Sequence, residues 1–219
     1  MEEVSSSDST LRLYLVRDGE TEWSLSGQHT GCTNIPLTVH REHEARQLRP
    51  VLEHIPFAAV LTSSRQRVRG TCELAGLGRS ATTEPDLGEW DYGDYEGQRT
   101  VDIDKGRPSW NVFRDGRPHG EMPGDVSARA DRLLASLCDV DGNVALFTHG
   151  QFGCVLAARW IGFSVIDAQH LSLGAASLSI LGVNPSHGGV RIIALWNAAP
   201  ELFTRPCSSR ASFMRETTL

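Results

Sequence analysis

Leu13-Tyr14-Leu15-Val16-Arg17-Asp18-Gly19-Glu20-Thr21-Glu22-Trp23 opens as an apolar run and stops abruptly on an arginine, an aspartate and a glycine. A short apolar run closed by a turn former reads as a strand buried on both faces. The charged pair that follows then stands at the strand's C-terminal end, where open parallel sheets bind their ligands.

Outward from this stretch, further strands are predicted at residues 58–62, 144–148, 178–183 and 192–196, with the first at 11–16. Helices are predicted at 39–55, 66–76, 125–138 and 152–161. Strands alternating with helices indicate an α/β fold, a three-layer sandwich with a mostly parallel central sheet and helices on both faces. Leu133, Leu134 and Leu137 recur at helical spacing and should face the core. One domain is expected over residues 11–203, between a disordered tail (1–10) and a weakly ordered tail (204–219). Residues 93–124, rich in Gly, Pro, Trp and charge, show no period and read as an irregular lid insertion.

The 219 residues carry 21 Lys plus Arg against 27 Asp plus Glu, a net charge of -6 that argues against a nucleic-acid binder with a broad basic face. No apolar run is long enough to span a bilayer, and MEEVSSSDST is unlike a secretory signal, so a cytoplasmic location is expected. Cys32, Cys72, Cys138, Cys154 and Cys207 are scattered and odd in number, which suggests neither a disulfide framework nor a zinc site. No metal and no cofactor are expected, and a homodimer is left open.

Chemistry-bearing residues fall at strand ends. Arg17 and Asp18 follow the first strand, Ser63 to Arg69 follow the second, and His149-Gly150 follow Val144-Ala145-Leu146-Phe147-Thr148. In Ser63-Ser64-Arg65-Gln66-Arg67-Val68-Arg69 a guanidinium near a helix start offers paired donors that match phosphate oxygens. Arg65 and Arg69 are assigned to a solvated helix face, Arg67 to the site. A lone histidine at a strand end, or an acidic-aromatic loop such as Glu89-Trp90-Asp91-Tyr92, is by itself ordinary structure.

The order of these segments resembles the histidine phosphatase (phosphoglycerate-mutase-like) superfamily. Arg17-Asp18-Gly19 resembles its Arg-His-Gly signature with aspartate at the phosphohistidine position; Arg67 resembles the second phosphate-clamping arginine, Glu89 the proton donor and His149 the second histidine. The stretches Trp23 to Gly31, Glu89 to Gly97 and Trp110 to Gly116 look most like sugar phosphatases of the sedoheptulose-bisphosphatase type. The resemblance implies a pocket for a small phosphorylated or otherwise anionic metabolite, clamped by Arg17 and Arg67, with Glu89 as acid-base group and His149 steadying equatorial oxygens. Thr30, Gly31, Trp110, Arg114 and Glu121 are candidate substrate-loop contacts, although for Trp110 a core plug under the loop is the better reading.

Asp18 changes that picture. A carboxylate is an anion meeting an anionic ester and reaches about 1 Å less far than an imidazole, a misplacement that costs ~100-fold. Phosphomonoester hydrolysis should be weak or altered. Asp18 could be a substitution made to trap a ligand, a natural loss that leaves a non-catalytic phosphate-ligand binding protein, or a repurposing as lyase, isomerase or non-phosphate hydrolase using Asp18 and Glu89. Arg41, Ser64 and the pair Gly153-Cys154 also depart from the family pattern, which favours a natural origin.

Overall fold

A computed structural model describes residues 11–204. The two expected tails lie outside that range except for Thr204, as does Cys207. In chain order the elements are β1 (Arg12–Arg17), α1 (Glu22–Ser26), α2 (Val39–Gln47), α3 (Arg49–Leu52), β2 (Phe57–Thr62), α4 (Gln66–Leu74), β3 (Ala81–Thr83), α5 (Thr100–Gly106), α6 (Val112–Asp115), α7 (Pro123–Ser136), β4 (Asn143–Thr148), α8 (Gly150–Trp160), β5 (Leu178–Asn184), β6 (Val190–Ala198) and α9 (Glu201–Thr204).

The sheet order is β3-β2-β4-β1-β5-β6. The strands β3, β2, β4 and β1 run parallel, and β5 and β6 add an antiparallel pair at one side. The fold is therefore the expected mostly parallel α/β sheet. Alternation along β1 serves both faces: Leu13 and Leu15 pack with Leu133, Phe152, Leu156 and Trp160 of α7 and α8, while Tyr14 and Val16 pack with Leu48, Leu52, Val68 and Cys72 on the α2 to α4 side. Leu133, Leu134 and Leu137 are buried in the first of these layers.

Register brings the strand ends together. Arg17 stands opposite Thr148 on β4, and Thr62 stands opposite Phe147, so Asp18, Ser63 and His149 emerge side by side. The Asp18 N-H donates to Thr148 O at 2.8 Å and the Ser63 N-H to Phe147 O at 3.1 Å, which extends the ladder into the site.

Two expectations need correction, and β3 is a strand beyond those expected. The helix predicted over 39–55 breaks at Leu48, because Pro50 in the first turn of α3 has no N-H to continue the ladder. Strand β3, only three residues long, carries too little pattern to be read. Residues 93–124 hold α5 and α6, of seven and four residues, too short to show a helical period.

Candidate active site

A cavity of about 370 Å3 opens at the C-terminal ends of β1 and β4, and Arg17, Asp18, Thr30, Arg67, Glu89 and His149 all line it. The four matching segments of the sequence thus converge on one pocket.

Arg67, on the first turn of α4, is buried. Its Nε donates to Asp18 Oδ2 at 2.9 Å, Nη1 donates to Thr33 O at 2.9 Å, and Nη2 donates to Thr30 O at 3.0 Å and Gly31 O at 3.1 Å. One guanidinium therefore pins both the aspartate and the 30–33 loop. Gly31 is required there: a Cβ would stand 2.3 Å from Trp90 O.

Arg17 approaches from the other side. Its Nη1 donates to Leu173 O, while its buried Nε lies 4.0 Å from Asp18 Oδ1 and has no hydrogen-bond partner. The guanidinium packs over Gly150, where a Cβ would meet Arg17 Cζ at 3.1 Å. Asp18 is thus cradled by two arginines. Burial acts to raise its pKa, but the positive surroundings of His149, Arg67 and Arg17 together outweigh it and leave the carboxyl below its ordinary 3.8.

His149 has both ring nitrogens engaged. Nε2 is 2.9 Å from Ser63 Oγ, Nδ1 is 3.0 Å from Arg67 Nη2, and Nδ1 is 3.4 Å from Asp18 Oδ2. An arginine can only donate, so the shorter contact makes Nδ1 an acceptor and puts the ring proton on Nε2, facing Ser63. In that neutral tautomer the approach to Asp18 is no hydrogen bond and Arg67 is the principal partner of the carboxylate, whereas a protonated ring would turn Nδ1-H toward Asp18 Oδ2, and that charge is what favours the carboxylate.

Glu89 accepts three backbone N-H groups: Trp90 at 2.9 Å and Phe152 at 2.8 Å on Oε1, and Gln151 at 3.0 Å on Oε2. The latter two are the orphan donors of the first turn of α8, so Glu89 caps that helix from a distant loop. Arg129 on α7 holds the loop in place by donating to Asp86 O and Gly88 O, both at 2.7 Å.

Trp110, Arg114 and Glu121 are not brought to the cavity. Trp110 is the core plug, its Nε1 donating to Gly116 O at 2.9 Å. The exposed Arg114 pairs with Asp115 at 2.8 Å, and Glu121 is spent on Arg129 at 2.9 Å and on the Asp91 N-H at 3.0 Å. Gly31 contributes through its carbonyl on Arg67. Residue-type reasoning missed His29, Tyr92 and Gln151, which also line the cavity. Only the position of Gln151, two residues after His149, was a usable signal. Cys154 borders the cavity too, but burial, then Glu89, pushes its thiol up to about 12, so it is no nucleophile near neutrality.

Arginines at the ends of parallel strands, facing a histidine and a capped carboxylate, define a phosphatase-like α/β site. The profile of the histidine phosphatase superfamily (branch 1) matches residues 13–198, and the chain belongs to that family. It is 36% identical over 188 residues to an acid phosphatase of Mycobacterium tuberculosis, covering 84% of this chain and 91% of that one. It is 34% identical over 189 residues to sedoheptulose 1,7-bisphosphatase of Saccharomyces cerevisiae, covering 71% and 69% of the two chains. The solved structure of the Mycobacterium tuberculosis open reading frame Rv3214 superposes with a TM-score of 0.81 at 33% identity, over 86% of this chain and 98% of that one. Among the described residues no helix is long and apolar enough to cross a membrane.

Proposed function

We propose that the chain binds a small phosphorylated metabolite in this cavity and hydrolyses phosphomonoesters weakly, because Asp18 occupies the phosphohistidine position of the family signature. The observation that carries this reading is the 2.9 Å bond from Arg67 Nε to Asp18 Oδ2. The carboxylate sits on the cation that an incoming phosphoryl group would use, as an internal counter-anion. It both lacks the reach of an imidazole and competes with the substrate for the arginine.

In this reading the partly exposed guanidinium of Arg17, which lines the cavity, is the first cation to meet an anion. Arg67 joins when Asp18 yields, His149 steadies the equatorial oxygens, and Glu89 serves as the acid-base group at the leaving oxygen. Attack by Asp18 itself would form an acyl phosphate, which requires the ester to move about 1 Å deeper than an imidazole would need.

The test is turnover of a panel of sugar phosphates by the wild type and by Asp18→His. The histidine variant should gain about 100-fold. No gain would remove the inherited mechanism, and loss of some other native reaction in Asp18→Asn with ligand binding intact would instead support Asp18 and Glu89 as a repurposed acid-base pair.

A further inference from the structure

The cavity has a second wall that phosphate chemistry does not use. His29 lies flat on Tyr92, with ring centroids 4.6 Å apart and planes at 22°, and the Arg117 guanidinium covers Tyr92 at 3.5 Å. Two groups that close cannot share one ring face, so Arg117, Tyr92 and His29 form a continuous stack. Its last member, the partly exposed His29, borders the cavity together with Phe113.

The stack is held in place. Trp110 stands nearly perpendicular to His29, with ring centroids 5.3 Å apart and planes at 78°, and His29 Nε2 is 3.2 Å from Thr100 Oγ1. Burial, then the neighbouring Arg117, pushes His29 down to about 4, so the ring that ends the stack is uncharged near neutral pH. Among the described residues lining the cavity the permanent cations are Arg17 and Arg67, matched by the carboxylates Asp18 and Glu89. One phosphoryl group can be met at the arginine end. A second would find no guanidinium at the other.

Resting on the phosphoester reading above, we propose that the ligand carries a single phosphoryl group on a flat, uncharged aromatic moiety, which extends the Arg117-Tyr92-His29 stack. The phosphoryl group lies at Arg17 and the ring lies against His29 and Phe113. Offset stacking on an aromatic face rewards a planar ring over a saturated one of similar size.

The test is calorimetric binding of inorganic phosphate, phenyl phosphate, cyclohexyl phosphate and fructose 1,6-bisphosphate to the wild-type protein. Phenyl phosphate should bind roughly three- to tenfold more tightly than cyclohexyl phosphate, and the bisphosphate no more tightly than inorganic phosphate. His29→Phe should preserve the preference for phenyl over cyclohexyl phosphate, and His29→Leu should bring it toward one. Phosphate binding without an aryl preference, or the bisphosphate as tightest ligand, overturns this proposal alone. If none of the four binds, the phosphoester reading fails and this one fails with it.

Discussion

Arg67 and Arg117 are both buried, each 2% exposed, yet they are accommodated in opposite ways. Arg67 meets a carboxylate, three carbonyls and an imidazole nitrogen. Arg117 has a 3.3 Å bond to Gln151 Oε1, leaves Nε and Nη1 without partners, and rests on the faces of Tyr92, Trp90 and Trp110 at 3.5, 4.8 and 5.5 Å. Burial accordingly pushes Arg117 down to about 10. The floor of the pocket compensates charge with polar groups and is committed to it, whereas the wall tolerates a cation through π faces and could lose it.

The largest effect expected from this contrast is at Arg67. Arg67→Met leaves Asp18 buried without its 2.9 Å partner and the 30–33 loop without its donor, so it should cost about 3–5 kcal/mol in urea unfolding. Next, Asp18→Asn removes the counter-anion while an amide oxygen can still accept from Arg67. Inorganic phosphate should then bind on the order of tenfold more tightly, as an unfavourable charge pair at about 4 Å is relieved. Unchanged affinity would mean that the carboxylate does not compete for the anion.

Acid should separate the floor from the wall. The folded pKa of Asp18 is depressed, so its contribution to stability is complete above 3.8 and fades as pH falls through the lower folded value. His29 has a folded value of about 4 against 6.5 when unfolded and must be neutral to stack, so stability drops as pH falls across that window. After discounting for its partial exposure, the His29 loss should be about 1–2 kcal/mol. His29→Phe should flatten the urea midpoint between pH 6.5 and 4 and leave the more acidic fall in place.

The smallest effect is expected for Arg117→Met, within about 1 kcal/mol of the wild type or stabilising, since an apolar side chain of similar length suits an aromatic cage. A loss as large as at Arg67 would erase the distinction between the two regions.

Much of the scaffold is legible in the sequence, because β1, β2 and β4 have apolar runs and α7 has its leucines in phase. The break at Leu48 was legible in principle from Pro50, whereas β3, α5 and α6 are too short for any periodicity. Arg17, Asp18, Arg67, Glu89 and His149 were found through motif order and do meet in one cavity. Trp110, Arg114 and Glu121 lie in a loop whose composition points to function, and that loop spends them on its own packing. His29 and Tyr92 escaped notice because a stack joins residues 63 positions apart, a partnership that leaves no local pattern.

The chain alone determined the alternation of strands and helices, the family, and the presence of a carboxylate where an imidazole is the rule, since these are properties of residue type and order. Only the tertiary structure decided that this carboxylate lies in the grip of Arg67, that Glu89 caps α8, and that the His29-Tyr92 stack borders the same cavity as the two arginines. Each of those depends on distances between segments remote in sequence, which strand register and side-chain packing set and residue order does not.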